Sequence, residues 1–241
     1  MPPHTLVQYV KNGLLLLTII GAAAIAAARY RHLPPNLRPL AWLTWFELPL
    51  EVAATTIGWL HHNNLFIMPF YTVGELWLLS MVYGRTVQAS PFARALPWLV
   101  AAFATYVLID NVVAPDLTWF KPGQQVIQSL LILGMVGMYF RELLNELRVA
   151  RLERDPLFWV SVGLALYFLG YILIALFSNY MLQHYSLQFN KNVWSIHFVL
   201  SLLLHSSYAG ALWLQPANAS ATAWPGSQRR PATPLAPGRQ P

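Results

Sequence analysis

Seven apolar stretches, each of the roughly 17 to 25 residues that cross a hydrocarbon core about 30 Å thick, set the solvent in which this chain folds. They lie near residues 8–28, 39–60, 64–84, 95–114, 124–144, 157–182 and 193–214. Polar punctuation separates them: Arg29-Tyr30-Arg31-His32 with Pro34-Pro35, His61-His62-Asn63-Asn64, Arg85 to Arg94, Pro115-Asp116, Arg141 to Asp155 and His184 to Asn192. A backbone in lipid must satisfy its own amides, so stretches of this length fold as helices. The expectation is an all-α fold, a polytopic transmembrane bundle of seven helices over residues 1–214. Residues 215–241 hold six Pro and six Ala with no hydrophobic period, the pattern of a disordered tail.

Composition agrees. Only 10% of the 241 residues are charged and 56% are hydrophobic, whereas soluble domains carry about a quarter charged residues. Cysteine is absent, which removes disulfides, thiolate metal sites, cysteine nucleophiles and palmitoylation. The net charge of +6 does not point to nucleic acid, because its distribution reports membrane orientation. The segments 29–38, 85–94, 141–154 and the tail carry twelve Arg, and the opposite connections carry only Lys11, Lys121 and Lys191. This bias places the N-terminus outside and the C-terminus and tail in the cytoplasm, with the protein multi-pass in a cell inner (plasma) membrane. A rival reading takes Lys11, residues 14–20 and residues 22–28 as a cleaved signal peptide. It would put Arg29, Arg31 and Arg38 outside, against the charge count.

The connection 141–155 contains four Arg and four acids and no Pro or Gly. It reads as an extension of the fifth helix, with Pro156 opening the sixth. Such a segment is either a solvated, charge-balanced helix end or a docking surface for a cytoplasmic protein partner.

Six ionisable residues inside the stretches carry most of the functional information: Glu47, Glu51, Glu75, Asp110, His197 and His205. Each costs at least about 2.5 kcal/mol near a helix centre, so each should face the bundle interior and find a partner. In the second stretch, Thr44, Glu47, Glu51, Thr55 and Gly58 follow one another at 3, 4, 4 and 3 residues, a single helical stripe, and Pro49 interrupts it. In the seventh, His197, Ser201 and His205 share a face. At 1.5 Å per residue, Glu47, Glu75 and His205 fall near the midplane, Glu51 one turn farther out, and Asp110 and His197 within one to two turns of the outer surface.

Four readings fit this file of groups. It is a structural hydrogen-bonded network, a proton- or ligand-sensing pocket lined by aromatic residues of the second, third, sixth and seventh stretches, a proton or ion path of a small transporter, or a metal-dependent intramembrane enzyme. In the last, Glu47, Glu51, Glu75 and His205 would be the ligands. His-Glu-x-x-His and Glu-x-x-His pairs are absent, and no strained elbow precedes Ser201, Ser206 or Ser207. The favoured expectation is a non-catalytic, sensor-like or ligand-binding component whose partners are the bilayer, a small-molecule or lipid ligand and a cytoplasmic protein. Glu47, Glu51, Glu75 and His205 form its central site, Asp110 and His197 link that site to the outside, and no catalytic residue or cofactor is expected.

Seven helices with an external N-terminus resemble, in topology, the rhodopsins and the membrane sensor portions of some bacterial histidine kinases. Rhodopsins hold retinal on a lysine of the seventh helix; here Lys191 precedes that stretch and none lies within it, so a retinal Schiff base is not expected. Zinc hydrolases of the ceramidase and adiponectin-receptor type carry His-x-x-x-His on the last helix, whereas His197 and His205 stand eight apart. The segments Arg154-Asp155-Pro156-Leu157-Phe158-Trp159-Val160 and Phe177-Ser178-Asn179-Tyr180 resemble those of uncharacterised small bacterial multi-pass proteins, which implies a bacterial inner membrane.

Overall fold

The protein was analysed as a computed structural model that describes residues 6–60, 62–87, 91–113, 120–146 and 152–214. Seven α-helices account for nearly all of them: α1 Leu6–Arg29, α2 Arg38–Trp59, α3 Met68–Thr86, α4 Pro91–Val113, α5 Pro122–Glu146, α6 Pro156–His184 and α7 Leu187–Trp213. Each follows one of the seven apolar stretches. Local chemistry sets the starts, because α2 to α6 carry a Pro within their first two residues, where a missing N–H costs nothing. At α6, Asp155 is the cap, its Oδ1 accepting from Leu157 N at 2.9 Å while Oδ2 accepts from the Tyr139 hydroxyl at 2.7 Å. Ser186 caps α7 through Phe189 N.

Six helices are long and apolar enough to cross a membrane. The seventh, α2, has 22 residues, and its polar stripe with Pro49 lowers its hydropathy. The chain is thus a membrane-spanning helical bundle. Its outer surface is apolar, with Leu166, Leu169, Leu173, Leu176 and Phe177 of α6 all more than half exposed. Most of the exposed tryptophans stand near helix ends, as interfacial belts require; Trp77, half exposed at the middle of α3, stands outside that pattern. α5 is described as far as Glu146, which carries the expected extension over residues 141–146, and Leu152–Arg154 forms a 3₁₀ turn. Residues 147–151 of the expected docking segment and the whole 215–241 tail lie outside the described residues.

The helices do not pack in simple chain order. A ring runs α1–α2–α3–α5–α6–α7 and closes from α7 onto α1, while α4 sits outside it, mainly against α3. The closing pair is parallel: Lys11 meets Ser195 near the start of both helices, and Arg29 meets the Trp213 carbonyl at their ends, with the same 184-residue offset. Small residues allow this approach, since Ala22, Ala23 and Ala26 of α1 are buried. At the arginine-bearing end, Tyr83 of α3 and Ser161 of α6 share a 2.8 Å hydrogen bond through the bundle interior, next to the Tyr83–Tyr139 ring pair at 6.2 Å.

Glycines divide into two kinds. A Cβ at Gly163 would lie 2.8 Å from Ser207 Cβ and closer still to its Oγ, and one at Gly74 would enter the Phe46 ring. These are close-packing positions of α6 on α7 and α3 on α2. A Cβ at Gly170 would meet the flexible tip of Leu200. Gly134 and Gly137, which from sequence look like packing glycines of the same sort, are not: Gly134 has only Phe92 at 3.9 Å and Gly137 nothing within 4 Å.

Substitutions at three positions test this packing and capping by thermal unfolding in detergent. Gly163→Ala destabilises by about 1–3 kcal/mol through overpacking, whereas Gly137→Ala is neutral or stabilising by up to about 1 kcal/mol from helix propensity. Asp155→Ala, which removes a cap, costs about 1–2 kcal/mol and Asp155→Asn less.

Candidate functional site

The polar stripe of α2 faces the ring interior. Thr44 and Glu47 are buried and Glu51 and Thr55 half-buried, with the Thr55 hydroxyl 3.4 Å from Glu51 Oε1. Pro49 lies inside the helix without ending it. It has no N–H to give to the Trp45 carbonyl four residues back.

Opposite Glu47 stands His205 of α7, its Nε2 at 3.5 Å from Glu47 Oε2. Both side chains are almost wholly excluded from the surface, at 1% and 5% exposure. The other imidazole nitrogen, Nδ1, lies 2.7 Å from the backbone carbonyl of Ser201. A carbonyl only accepts, so Nδ1 carries a proton in either charge state of the ring. The nitrogen that faces Glu47 is then the variable one. When the carboxyl of Glu47 is protonated, it faces the bare lone pair of His205; when His205 holds the proton, an imidazolium faces a carboxylate. Two atoms thus compete for one proton at a separation just beyond ordinary hydrogen-bond length. Among the described residues, Glu47 Oε2 and His205 Nε2 have no hydrogen-bond partner other than this long contact with each other, and the hydroxyl of Tyr208, whose ring stands 5.8 Å from that of His205, has none.

The pair is not isolated. Glu51 and Glu75 interact electrostatically with Glu47 and His205, and the phenols of Tyr71, Tyr167 and Tyr208 feel both Glu47 and Glu75. Glu75, buried on α3, accepts a 2.7 Å hydrogen bond from the Gln128 amide of α5. One turn earlier on α5, Gln125 accepts from Tyr171 of α6 at 3.3 Å. His197, two turns from His205 on α7, meets the Tyr167 hydroxyl through Nε2 at 3.1 Å and lies 4.9 Å from the Tyr171 ring. Hydrogen bonds thus join α3 to α5, α5 to α6 and α6 to α7, and the Glu47–His205 contact faces α2 to α7.

Five of the six ionisable residues singled out in the sequence therefore converge. Asp110 does not join them. It sits on the peripheral α4, where its carboxylate pairs with Lys121 at 3.4 Å and accepts from the Gln124 amide at 2.6 Å. Gln124 stands one turn before Gln128 on α5, the residue that bonds Glu75. Among the described residues, no group of three or more His, Asp or Glu side chains is arranged to hold a metal ion.

Sequence reasoning overlooked Gln124, Gln125 and Gln128, all buried. The signal was present, since three amides in a stretch meant to cross hydrocarbon need internal partners, and Gln124 and Gln128 stand one turn apart. No protein-family model, curated protein or solved structure matches the chain, so geometry alone carries the functional reading.

Proposed function

We propose that this protein is a non-catalytic, proton-responsive sensor component of a membrane, with the Glu47–His205 pair as its switch and Glu51 and Glu75 as the neighbouring acids that tune it. The observation that carries this reading is the commitment of His205 Nδ1 to the Ser201 carbonyl, which leaves Nε2 and Glu47 Oε2 facing one another at 3.5 Å without other hydrogen-bond partners among the described residues. With one proton between them, α2 and α7 are held either by an ion pair or by a carboxyl facing an imidazole. A second proton converts the site to a neutral acid facing an imidazolium, and the attraction across the α2–α7 boundary falls. Acidification is therefore the opening direction.

Around the pair, the titratable groups are Glu51 on α2, Glu75 and Tyr71 on α3, Tyr167 on α6, and His197 and Tyr208 on α7. Several acids near one histidine make the charge state depend on more than one proton. In this reading the arginine-bearing end is cytoplasmic, the membrane is a bacterial inner membrane, and 141–155 passes the change to a cytoplasmic partner. The ligand beside the proton is a small molecule or a lipid.

The native chain has no cysteine, so spin labels report only where cysteines are introduced. Leu60→Cys and Leu187→Cys, both on exposed residues at one end of α2 and α7, give a distance across the boundary. In nanodiscs, this distance is expected to lengthen as pH falls. Glu47→Gln keeps a donor toward the His205 lone pair but cannot exchange a proton, so its distance should stay at the high-pH value, and His205→Gln should also lose the response. A pH-independent distance in the parent, or an intact response in both variants, overturns the reading; dissipation of an imposed pH gradient by proteoliposomes replaces it with a carrier.

A further inference from the structure

Because α1 and α7 run parallel, their two N-termini meet at one end of the bundle and their two C-termini at the other. Parallel helices place like-signed dipole ends together, positive at the N-termini and negative at the C-termini. At the C-terminal end the chain compensates: the Arg29 guanidinium donates to the Trp213 carbonyl and lies 4.3 Å from the Trp213 ring. At the N-terminal end it does the reverse. Neither helix has an acid in its first turn, and Lys11 and Lys191 add two positive charges within the first two turns.

Between these ends lies an open cavity of about 560 Å³, within the roughly 300–1,000 Å³ range of small-molecule sites. Lys11, Lys191, Gln188 and Asn192 supply its polar wall, Trp194 and Phe198 its apolar one, and among the described residues no Asp or Glu lines it. Lys11 is half-buried. Its Nζ donates to Ser195 Oγ at 2.6 Å and stands 5.8 Å from the Phe198 ring. The Ser195 hydroxyl in turn donates to the Lys191 carbonyl at 2.6 Å, which ties the two lysine-bearing turns together. A neutral hydroxyl satisfies one ammonium hydrogen and none of the charge. His197 also lines the cavity and contacts Tyr167 behind it.

We infer that this cavity is a binding site for an organic anion, a carboxylate or phosphate carried on an apolar body, with Lys11 and Lys191 holding the charged head and Trp194 and Phe198 the body. The anion supplies the negative charge that two helix N-termini and two lysines require and that none of the described residues lining the cavity provides. The assignment does not rest on the Glu47–His205 switch, with which the cavity shares only His197 among the residues named here, so its failure leaves that reading untouched.

Calorimetric titration of the protein in phosphatidylcholine nanodiscs tests it, with decanoate, inorganic phosphate and the uncharged analogue decanol as probes. Decanoate is expected to bind saturably and decanol not to. Each of Lys11→Gln and Lys191→Gln should weaken decanoate binding about tenfold, the loss of one charge-assisted hydrogen bond. The Lys11→Arg/Lys191→Arg double variant should retain binding, and Lys121→Gln, at a residue that pairs with Asp110 and does not line the cavity, should match the parent. Phosphatidylglycerol in the disc separates the two sources of such a head group. A lipid ligand displaces decanoate and stays with the parent, but not with the double Gln variant, in native mass spectra; a free anion is displaced by inorganic phosphate and leaves no lipid behind. Equal binding of decanol and decanoate, undiminished decanoate binding by the folded double Gln variant, or no binding of any of these probes by the parent overturns the assignment.

Discussion

Hydrocarbon cannot hydrate a polar group, and the arrangement of this bundle follows from that refusal. Every carboxyl, amide and imidazole placed at depth must be answered by another helix. α2, which carries two acids on one stripe, is held in the ring between α1 and α3 and faces α7 through Glu47. α4, whose acid lies near one end, packs outside the ring. Burial of Glu47 without His205 would leave a charge or an orphaned carboxyl in the core, and buried pairs lose several kcal/mol when one partner goes. The same contact that seats α2 is thus also the one whose strength depends on a proton.

Much of the architecture was legible in the sequence, because the span signal is periodic, long and punctuated. Pro39, Pro69, Pro91, Pro122 and Pro156 mark helix starts, and the spacing of Thr44, Glu47, Glu51 and Thr55 reads directly as an interior stripe. The convergence of Glu47, Glu75 and His205 followed from depth alone, since three groups near the midplane of one small bundle have few other places to go. The order of the ring was not legible. Leucine and valine look the same whether they face lipid or a neighbouring helix, so nothing in α4 announced that it would sit outside. The isolation of Asp110 follows from that position, as does its pairing with Lys121 rather than with the central acids. Gly137 misled for a related reason: a glycine in a span reads as a packing residue, yet at this position no helix comes near.

The two ends of the bundle show how one count can hide two chemistries. Arg and Lys enter an orientation argument as equivalent positive charges. In space, Arg29 sits on helix C-termini, where a cation is favourable, and Lys11 and Lys191 sit by helix N-termini, where it is not. Only the parallel pairing of α1 and α7 reveals that difference, because it depends on which helices become neighbours after six reversals of direction.

That parallel closure also constrains the architecture as a building block. Because α1 and α7 run parallel, Leu6 and Leu214 lie at opposite ends of the bundle, separated by the length of α7, about 40 Å at 1.5 Å per residue. No short linker can join them, so the chain break of this bundle cannot be moved to another loop unless an eighth crossing is added. Two such bundles fused head to tail would, for the same reason, lie upside down relative to one another.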